Sequence, residues 1–481
     1  MTIRESIVGG AFACLLGVSW WGVAGDDHRS SSVAAGRDLF EDHCQRCHLL
    51  PGPGDLPYAI WDTVVLPRMR GLVAGGSIGQ PAGLSDREWN QLRAYVLSEA
   101  PGQLPVEPLS LPTAADFRPM FPEVFMSPPS TSYVAPLAGG GLLQADINKE
   151  SIFVYDALLR PVQRLRTGRG VTDLQSFRGE TYATVIGSFS PSDAGVGQLI
   201  RLGVAGADTL VVGLRRPTGL SIQEGEGGAP EFIVSEYGRW SGSLRSYRER
   251  EAGAYQGTTI SSRPGPMSIV AETETTFLVL YGQGDERIVR YRRVDASYRE
   301  ETLIRFPPSY GSSSLKRTDW NADPFPDLVY TAGDLADYRS DPKPYHGVRI
   351  YVGEPDGGYR LAEFIPFPGA YAAEVADFDG DGNMDIAAVS FFPDFRSGAP
   401  AGAVIFRRAK DLWQAEALPA ATSGRWLRLA AGDVDKDGDI DLIAGSLAME
   451  TYPDGGQLKD WVEEGLPFIC WKNLSKHNSP P

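Results

Sequence analysis

Beyond residue 130, hydrophobic positions alternate with polar ones in short runs, and turn-forming residues separate the runs. Runs of this kind predict β-strands with one buried face. The strand–turn–strand pattern recurs at intervals that suit four-stranded sheets, with units opening near residues 132, 171, 217, 267, 312, 371 and 428. These units predict an all-β propeller of seven blades, with six or eight blades as the alternatives.

The last unit of this pattern is one strand short, because its final strand ends near residue 474. Residues 102–129 are rich in proline, show no helical period and are predicted to be a linker along the surface. A strand from this linker could complete the last blade of the propeller, which spans residues 130–476. Closing the ring would remove the exposed sheet edges of an open array.

The first hundred residues follow a helical pattern. Residues 36–40 lead into Cys44 at helical spacing, which predicts a helix that ends at this cysteine. A second helix is predicted to begin at Ser85, and Glu88 completes its capping box. The fold class is therefore a small all-α domain, residues 30–101, followed by the all-β propeller.

Composition and charge limit the range of possible functions. With 481 residues, the chain is too long for one ordinary core, and its 55 glycines and 36 prolines suit many strands joined by turns. The formal net charge of -16 argues against a nucleic-acid partner, whose phosphates would repel an acidic surface. The same negative charge is compatible with bound cations.

The N-terminal residues predict export. Arg4 precedes an apolar run that ends at Ala24, and small residues before the acidic flank suit a signal peptidase. We expect a cleaved signal peptide over residues 1–24 and a periplasmic or other extracytoplasmic location. An uncleaved anchor is the alternative, because the run approaches the length of a membrane span. After cleavage we expect no membrane span, since no later segment is long and apolar enough.

A C-x-x-C-H motif stands at Cys44, Cys47 and His48. This spacing is the attachment signature of haem c: two thiols one helical turn apart bond to the haem, and the adjacent histidine ligates its iron. A redox disulfide and a zinc site are the alternatives. The first usually has a βαβ context, and the second needs two more ligands nearby. The motif therefore predicts one covalent haem c.

Two helices that cross with a small residue on one against an aromatic residue on the other resemble class I cytochromes c. The resemblance implies a thioether as sixth iron ligand, presented by a loop between the helices. Met69 is the methionine in that position. The alternatives are that Met69 fills space in the core, or that His43 is the ligand.

Three acidic loops repeat the spacing D-x-[DN]-x-D-x-x-x-D. This alternation turns successive side chains towards one hard cation, and glycines at 382 and 438 allow the sharp turn. An EF-hand is excluded because strands flank the loops; a solvated acidic turn is the alternative. The first loop has prolines in place of the turn glycine, so we expect two or three calcium ions. The predicted ligands are Asp319, Asn321, Asp323 and Asp327; Asp377, Asp379, Asp381 and Asp385; and Asp433, Asp435, Asp437 and Asp441.

Loops between the second and third strands of each blade are expected on the opposite rim of the propeller. They are rich in polar and aromatic groups, among them His346, Asp394 and Asp334. Converging groups of this kind make these three residues candidates for a catalytic or binding site. A charged loop face that keeps the protein soluble is the alternative.

The calcium loops resemble FG-GAP (VCBS-type) repeats, known from the propellers of integrin α-subunits. With the haem motif, the stretches CQRCHLLPGP, WDTVVLPRM, KPYHGVRIY and FDGDGNMDIAAVSFFPDF are similar to exported bacterial FG-GAP-repeat c-type cytochromes. From the haem motif and the propeller we expect an exported electron-transfer protein whose propeller docks a redox partner protein or a small-molecule substrate. The alternatives are a periplasmic oxidoreductase with a catalytic site on the propeller rim, and a calcium-dependent binding or adhesion module.

Overall fold

The structure is a computed structural model that describes residues 24–74, 83–107, 109–204, 206–295, 297–308, 310–336, 342–395, 401–409, 412–448 and 456–475. The expected signal peptide lies, up to residue 23, outside the described residues. Among the residues that are described, no helix has both the length and the apolar character needed to cross a membrane.

Residues 24–101 form a group of helices, called the helical module below. Its core contains the buried side chains of Phe40, Leu56, Trp61, Val65, Leu66, Trp89, Leu92 and Val96. Its helices are α1 (Ala24–Cys44), α2 (Tyr58–Ile60), α3 (Leu66–Ala74) and α4 (Asp86–Glu99), with a π-helical turn at Trp61–Val65 between α2 and α3.

Both predicted helix boundaries are observed. Helix α1 ends at Cys44. Helix α4 begins with the expected capping box, in which the Glu88 backbone N–H donates to Ser85 Oγ at 3.3 Å. In return the Ser85 N–H donates to the Glu88 carboxylate at 2.8 Å. These bonds satisfy donors that the first turn of a helix leaves without partners.

Helices α1 and α4 touch at a glycine. A Cβ atom placed on Gly36 would lie 2.3 Å from the Gln91 carbonyl oxygen and 2.9 Å from Tyr95 Cβ. The Phe40 ring packs against the Tyr95 ring, with centroids 5.8 Å apart. The missing side chain at residue 36 therefore lets the two helices approach closely beside an aromatic pair.

Substitution of this glycine provides a direct test of the crossing. Gly36→Ala is expected to destabilise the helical module by about 1–3 kcal/mol, because overpacking outweighs the helix preference of alanine. Gly71, in α3, is the matched control, because a Cβ atom placed on it would have no neighbouring atom within 4 Å. Gly71→Ala should leave stability equal or slightly higher. Thermal unfolding followed by circular dichroism measures both, and equal effects would contradict the close crossing.

The propeller has seven four-stranded blades, as predicted. In chain order the strands of the first six blades are β2 (Thr131–Pro136), β3 (Leu142–Asp146), β4 (Ser151–Tyr155) and β5 (Pro161–Arg166); β6 (Val171–Phe177), β7 (Glu180–Val185), β8 (Gly197–Gly203) and β9 (Gly206–Leu214); β10 (Pro217–Glu224), β11 (Pro230–Glu236), β12 (Ser243–Glu251) and β13 (Ala254–Ser261); β14 (Pro266–Ala271), β15 (Thr276–Tyr281), β16 (Arg287–Val294) and β17 (Ser297–Arg305); β18 (Ser312–Thr318), β19 (Asp327–Ala332), β20 (Gly347–Gly353) and β21 (Tyr359–Pro366); and β22 (Ala370–Ala376), β23 (Asp385–Ser390), β24 (Ala403–Ala409) and β25 (Leu412–Ala417).

The seventh blade joins distant parts of the chain. It contains β26 (Trp426–Gly432), β27 (Asp441–Ser446), β28 (Phe468–Asn473) and, at its outer edge, β1 (Phe117–Met120). Strand β1 comes from the proline-rich stretch and pairs antiparallel with β28, with Phe117 opposite Asn473. A short helix, α5 (Gln457–Glu464), precedes β28 and has no counterpart in the sequence prediction.

Burial explains the strand patterns. First strands of neighbouring blades contact one another around the centre, as β2 does with β26 and β6. Second strands such as β15, β19, β23 and β27 are buried along their whole length, because neighbouring blades cover both of their faces. Outer strands such as β5 are mostly exposed. The runs of apolar residues in the sequence therefore mark second strands.

The two rims of the propeller differ. Connections between first and second strands form one rim, and connections between second and third strands form the other. The helical module touches the second of these rims, where Tyr345 Oη donates a hydrogen bond of 3.1 Å to the Asp55 carbonyl oxygen. Lys343 carries a positive charge close to the Asp55 carboxylate. This contact was not predicted from the sequence.

Candidate functional site

The three acidic loops lie in the fifth, sixth and seventh blades, each between a first and a second strand. They therefore share one rim. In every loop the last aspartate begins the second strand, is buried, and accepts one N–H from its own loop and one from the third strand. These pairs are Trp320 and Gly353 for Asp327, Phe378 and Arg408 for Asp385, and Val434 and Asn473 for Asp441, at 2.8–3.4 Å.

Two of the loops gather their carboxylates. One oxygen each from Asp377, Asp379 and Asp385 lies within 4.8 Å of the other two, and the same holds for Asp433, Asp435 and Asp441. Asp433 Oδ1 is buried and accepts no hydrogen bond. Oxygen ligands at such separations suit a hard divalent cation.

The electrostatics of these two loops are unfavourable without a cation. Burial, followed by the charge of Asp379, raises the pKa of Asp385 to about 7. Burial also raises the pKa of Asp441 to about 6, with Asp435 and Asp437 adding to the effect. Carboxylates held close together in a poorly solvated place favour protonation unless a cation joins them. The residues present therefore fit a calcium ion.

Two other predicted ligands, Asp381 and Asp437, each accept a backbone N–H from two residues further along the chain. Asp381 accepts hydrogen bonds from the Asn383 backbone N–H at 2.7 Å and from Asn383 Nδ2 at 3.0 Å. Asp437 accepts the Asp439 N–H at 3.0 Å. Among the described residues, the close groups in the second and third loops contain neither of these aspartates.

The first loop differs from the other two. Its polar groups bond within the loop: the Ala322 N–H donates to Asp319 at 2.9 Å, and Asn321 Nδ2 donates to Asp323 at 2.7 Å. Asp323 also accepts the Phe325 N–H at 2.7 Å. The described part of the chain shows no close group of three acidic oxygens here. The first loop therefore differs from the second and third loops in the placement of its carboxylates.

The C-x-x-C-H residues lie where α1 ends. Cys44 is partly buried against the core of the helical module, and Cys47 is exposed; both thiols are free. Burial, with a smaller contribution from Cys47, raises the pKa of the Cys44 thiol to about 12. His48 Nδ1 lies 2.9 Å from the Leu49 carbonyl oxygen. That contact leaves Nε2 as the nitrogen suited to a metal.

Met69 lies in helix α3, whereas the sequence predicted a loop. Helical structure runs without a break from Tyr58 through the π-helical turn at Trp61–Val65 into α3, and it continues past Pro67 although proline lacks the N–H for one helical hydrogen bond. The Met69 side chain is partly buried against the core of the helical module. Two thiols, an imidazole and a thioether in one small helical module are the donor set that a c-type haem requires.

The rim candidates are mostly buried. His346 is 1 % exposed, and neither of its ring nitrogens forms a well-aligned hydrogen bond. Burial, then the charges of Lys343 and Arg349, lowers its pKa well below the ordinary value, so the ring is neutral. Asp394 is 7 % exposed and lines a cavity of about 10 Å³, which has room for at most one water molecule. Asp334 is half-buried.

An apolar cluster occupies the rim to which these candidates belong. It collects residues that follow second strands or begin first strands of several blades: Ile147, Leu335, Phe391, Phe392, Leu427 and Leu447, with Phe189 and Tyr371 against it. The expected polar funnel is therefore filled, at this cluster, by hydrophobic side chains. Residues 337–339 and 396, part of the same predicted polar rim, lie outside the described residues.

Comparison with known proteins supports the propeller. A family model described as FG-GAP-like repeat matches residues 319–388, which contain the first and second acidic loops. Integrin alpha-V from Gallus gallus is 32% identical over 160 residues, covering 30% of this chain and 15% of the integrin. The chain therefore spans a small part of the length of this relative.

Solved structures with a similar shape include a streptogramin B lyase, with a TM-score of 0.45 and 12% identity over 74% of this chain and 97% of the lyase. A gluconolactonase from Xanthomonas campestris has a TM-score of 0.37 and 13% identity over 60% of this chain and 93% of its own. The seven blades and the family match at residues 319–388 define the class: a β-propeller that contains an FG-GAP-like repeat.

Proposed function

We propose that this protein is an exported electron-transfer protein, in which the helical module carries one haem c and the propeller is a calcium-stabilised platform. The observation that carries the proposal is the C-x-x-C-H motif at the end of α1, beside a helix crossing between Gly36 and Tyr95. The motif is specific, both of its thiols are free, and Cys44 packs against the apolar core of the helical module.

Each donor has a distinct role in this proposal. Cys44 and Cys47 would form the two thioether links, and His48 and Met69 would ligate the iron. A haem held in this way accepts and releases one electron at a time. The buried aromatic and aliphatic side chains of the module, among them Phe40 and Trp61, would exclude water from one side of the group. A low-polarity surrounding of this kind tunes the reduction potential.

The propeller would hold the helical module in a fixed orientation. The acidic loops lie on one rim, and Tyr345 on the other rim bonds to the Asp55 carbonyl. Calcium would rigidify the blades at the far rim, while the near rim positions the module. A partner of opposite charge would be steered by the acidic surface of the protein, with its formal charge of -16.

A second candidate function is supported by a separate observation. The 160 residues that resemble integrin alpha-V favour calcium-dependent binding of another macromolecule by the propeller. In that case the propeller alone would account for the activity, and removal of the haem-attaching cysteines would leave binding intact.

The test is to express the full chain with its export segment alongside haem-maturation machinery. We expect the purified protein to keep a c-type absorption spectrum after denaturation and acid–acetone extraction, because thioether bonds survive both. We also expect its reduction by a basic redox protein to slow steeply with added salt. Haem that extracts freely, or an exported chain without haem, would refute the proposal.

A further inference from the structure

The third strands of the fifth, sixth and seventh blades place different residues beside the acidic loops. The strand registers pair Leu328 with Tyr351, Ile386 with Phe406 and Leu442 with Trp471. One step further along each antiparallel ladder, the last aspartate of each loop faces the next residue of the third strand. These facing residues are Val352, Arg407 and Lys472.

In the seventh blade the facing residue is a cation directed into the loop. Lys472 Nζ is paired with Asp435 and lies 2.9 Å from Asp437 Oδ2. Asp435 belongs to the close group of three carboxylates, with Asp433 and Asp441. The lysine ammonium therefore uses an oxygen-bearing side chain that a calcium ion in the same loop would also use.

In the sixth blade the equivalent cation is more distant. Arg407 Nε lies 3.6 Å from Asp379 Oδ2. Its guanidinium also pairs with Asp116 at 2.5 Å and with Glu416, so its charge is shared among three carboxylates. Asp379 and Asp435 occupy the same position of their loops. Positively charged side chains therefore neutralise less of the negative charge of the second loop than of the third.

The first loop supplies the internal contrast. Its facing residue is the uncharged Val352, and asparagine, Asn321, replaces the aspartate that the cation contacts in the other two loops. A carboxylate at this position is therefore present where a third-strand cation is present, and is replaced by an amide where the cation is missing. Charge pairing between the third strand and this position accounts for the pattern.

We infer that Lys472, and more weakly Arg407, are built-in counter-cations that set the calcium affinity of their loops and make the third loop the weaker site. Calcium binding at the third loop displaces the Lys472 ammonium from Asp435. The inference rests on the proposed calcium binding. It adds that the second loop binds calcium more tightly than the third, and that Lys472 causes the difference. A nearby positive charge lowers the affinity for a divalent cation by Coulomb repulsion and by competition for the same oxygens.

Calcium titration of the full chain, freed of metal, tests this assignment by isothermal titration calorimetry. Asp323→Ala and Asp379→Ala are introduced first, so that the heat of calcium binding comes from the third loop. In that background Lys472→Met is expected to tighten calcium binding on the order of tenfold, because one positive charge is removed from beside the calcium ligands. Lys472→Arg, which keeps the charge, should bind calcium with nearly unchanged affinity. Lys459→Met is the matched control, because Lys459 lies on α5 and pairs with Glu463 at 3.6 Å.

The outcomes separate the two levels of the argument. If the unmutated chain takes up no calcium, the proposed calcium binding itself fails. If it does, but Lys472→Met leaves the affinity equal or weaker, the counter-cation assignment is overturned and calcium binding stands. If Lys472→Met unfolds in metal-free buffer, the calcium affinity is measured with Lys472→Gln instead. In that case, recovery of the folded circular dichroism spectrum of Lys472→Met on addition of calcium would support the assignment, and failure to recover would contradict it.

Discussion

Removal of calcium is expected to lower the midpoint of thermal unfolding of the propeller by roughly 5–10 °C. A cation that binds only the folded state stabilises it by about 2.7 kcal/mol per site when its concentration is a hundred times the dissociation constant. Two such sites, at Asp385 and Asp441, give about 5 kcal/mol, and a domain of this size shifts by one to two degrees for each kcal/mol. Calorimetry with and without a chelator measures the shift.

The calcium effect should also depend on pH. Without calcium, the pKa of Asp385 is raised to about 7 and that of Asp441 to about 6. The folded state then holds protons that the unfolded chain has released, so the stability of the calcium-free propeller falls as pH rises from about 4 to about 7. Calcium displaces these protons. The difference in melting temperature between calcium-loaded and calcium-free protein should therefore be small at pH 5 and larger at pH 7.5.

Single substitutions assign the effect to the loops. Asp379→Ala and Asp435→Ala should each remove part of the calcium-dependent shift, whereas Asp323→Ala in the first loop should remove less. The haem absorption spectrum should stay the same in all three variants, because the loops lie on the rim opposite the helical module. A chelator that leaves the melting temperature of the unmutated protein unchanged would contradict the prediction.

Replacement of both Cys44 and Cys47 with serine is expected to abolish covalent haem, an all-or-none effect. The two thioether bonds are the only covalent links that the motif offers, so denatured protein should lose the haem absorption band completely. Single substitutions should leave one link and a shifted band. Serine at Cys470, which is buried in β28 far along the chain, is the control and should leave haem attachment unchanged. Covalent haem in the double variant would refute the attachment site.

Met69→Ala tests the sixth ligand separately from attachment. Covalent haem should persist, but the sulfur-to-iron absorption band should disappear and the reduction potential should fall, because the thioether favours reduced iron. An unchanged spectrum would assign the sixth position to another donor, with His43 the next candidate. His43 is partly buried near the end of α1, and burial lowers its pKa, which keeps the imidazole available as a neutral donor.

Much of the fold followed from the sequence because local patterns specify it. The blades begin within two residues of the predicted positions, since each opens with a first strand after a turn. The capping box at Ser85 and the end of α1 at Cys44 depend on neighbours in the chain. These features need no knowledge of distant contacts, so a single sequence is sufficient to predict them.

The parts that were not predicted depend on contacts between distant segments. The pairing of Lys472 with Asp435 requires the register of β27 against β28, which no spacing in the sequence reveals. The bond between Tyr345 and Asp55 joins residues 290 positions apart. The burial of His346 likewise depends on packing around it, and its charge-bearing neighbours in the sequence suggested an exposed site instead. Local polarity thus identified the rim but not which of its side chains reach the surface.

The pairing of β1 with β28 joins a strand that is synthesised early to the last strand of the propeller. Met120 is made about 350 residues before its partner Cys470, an interval of roughly 20–70 s at ribosomal rates of 5–20 residues per second. Throughout that interval the edge that will receive β1 does not exist, and β1 itself has no partner within its own chain. Until its last strand emerges, a nascent propeller can therefore exchange β1 with neighbouring copies of the chain.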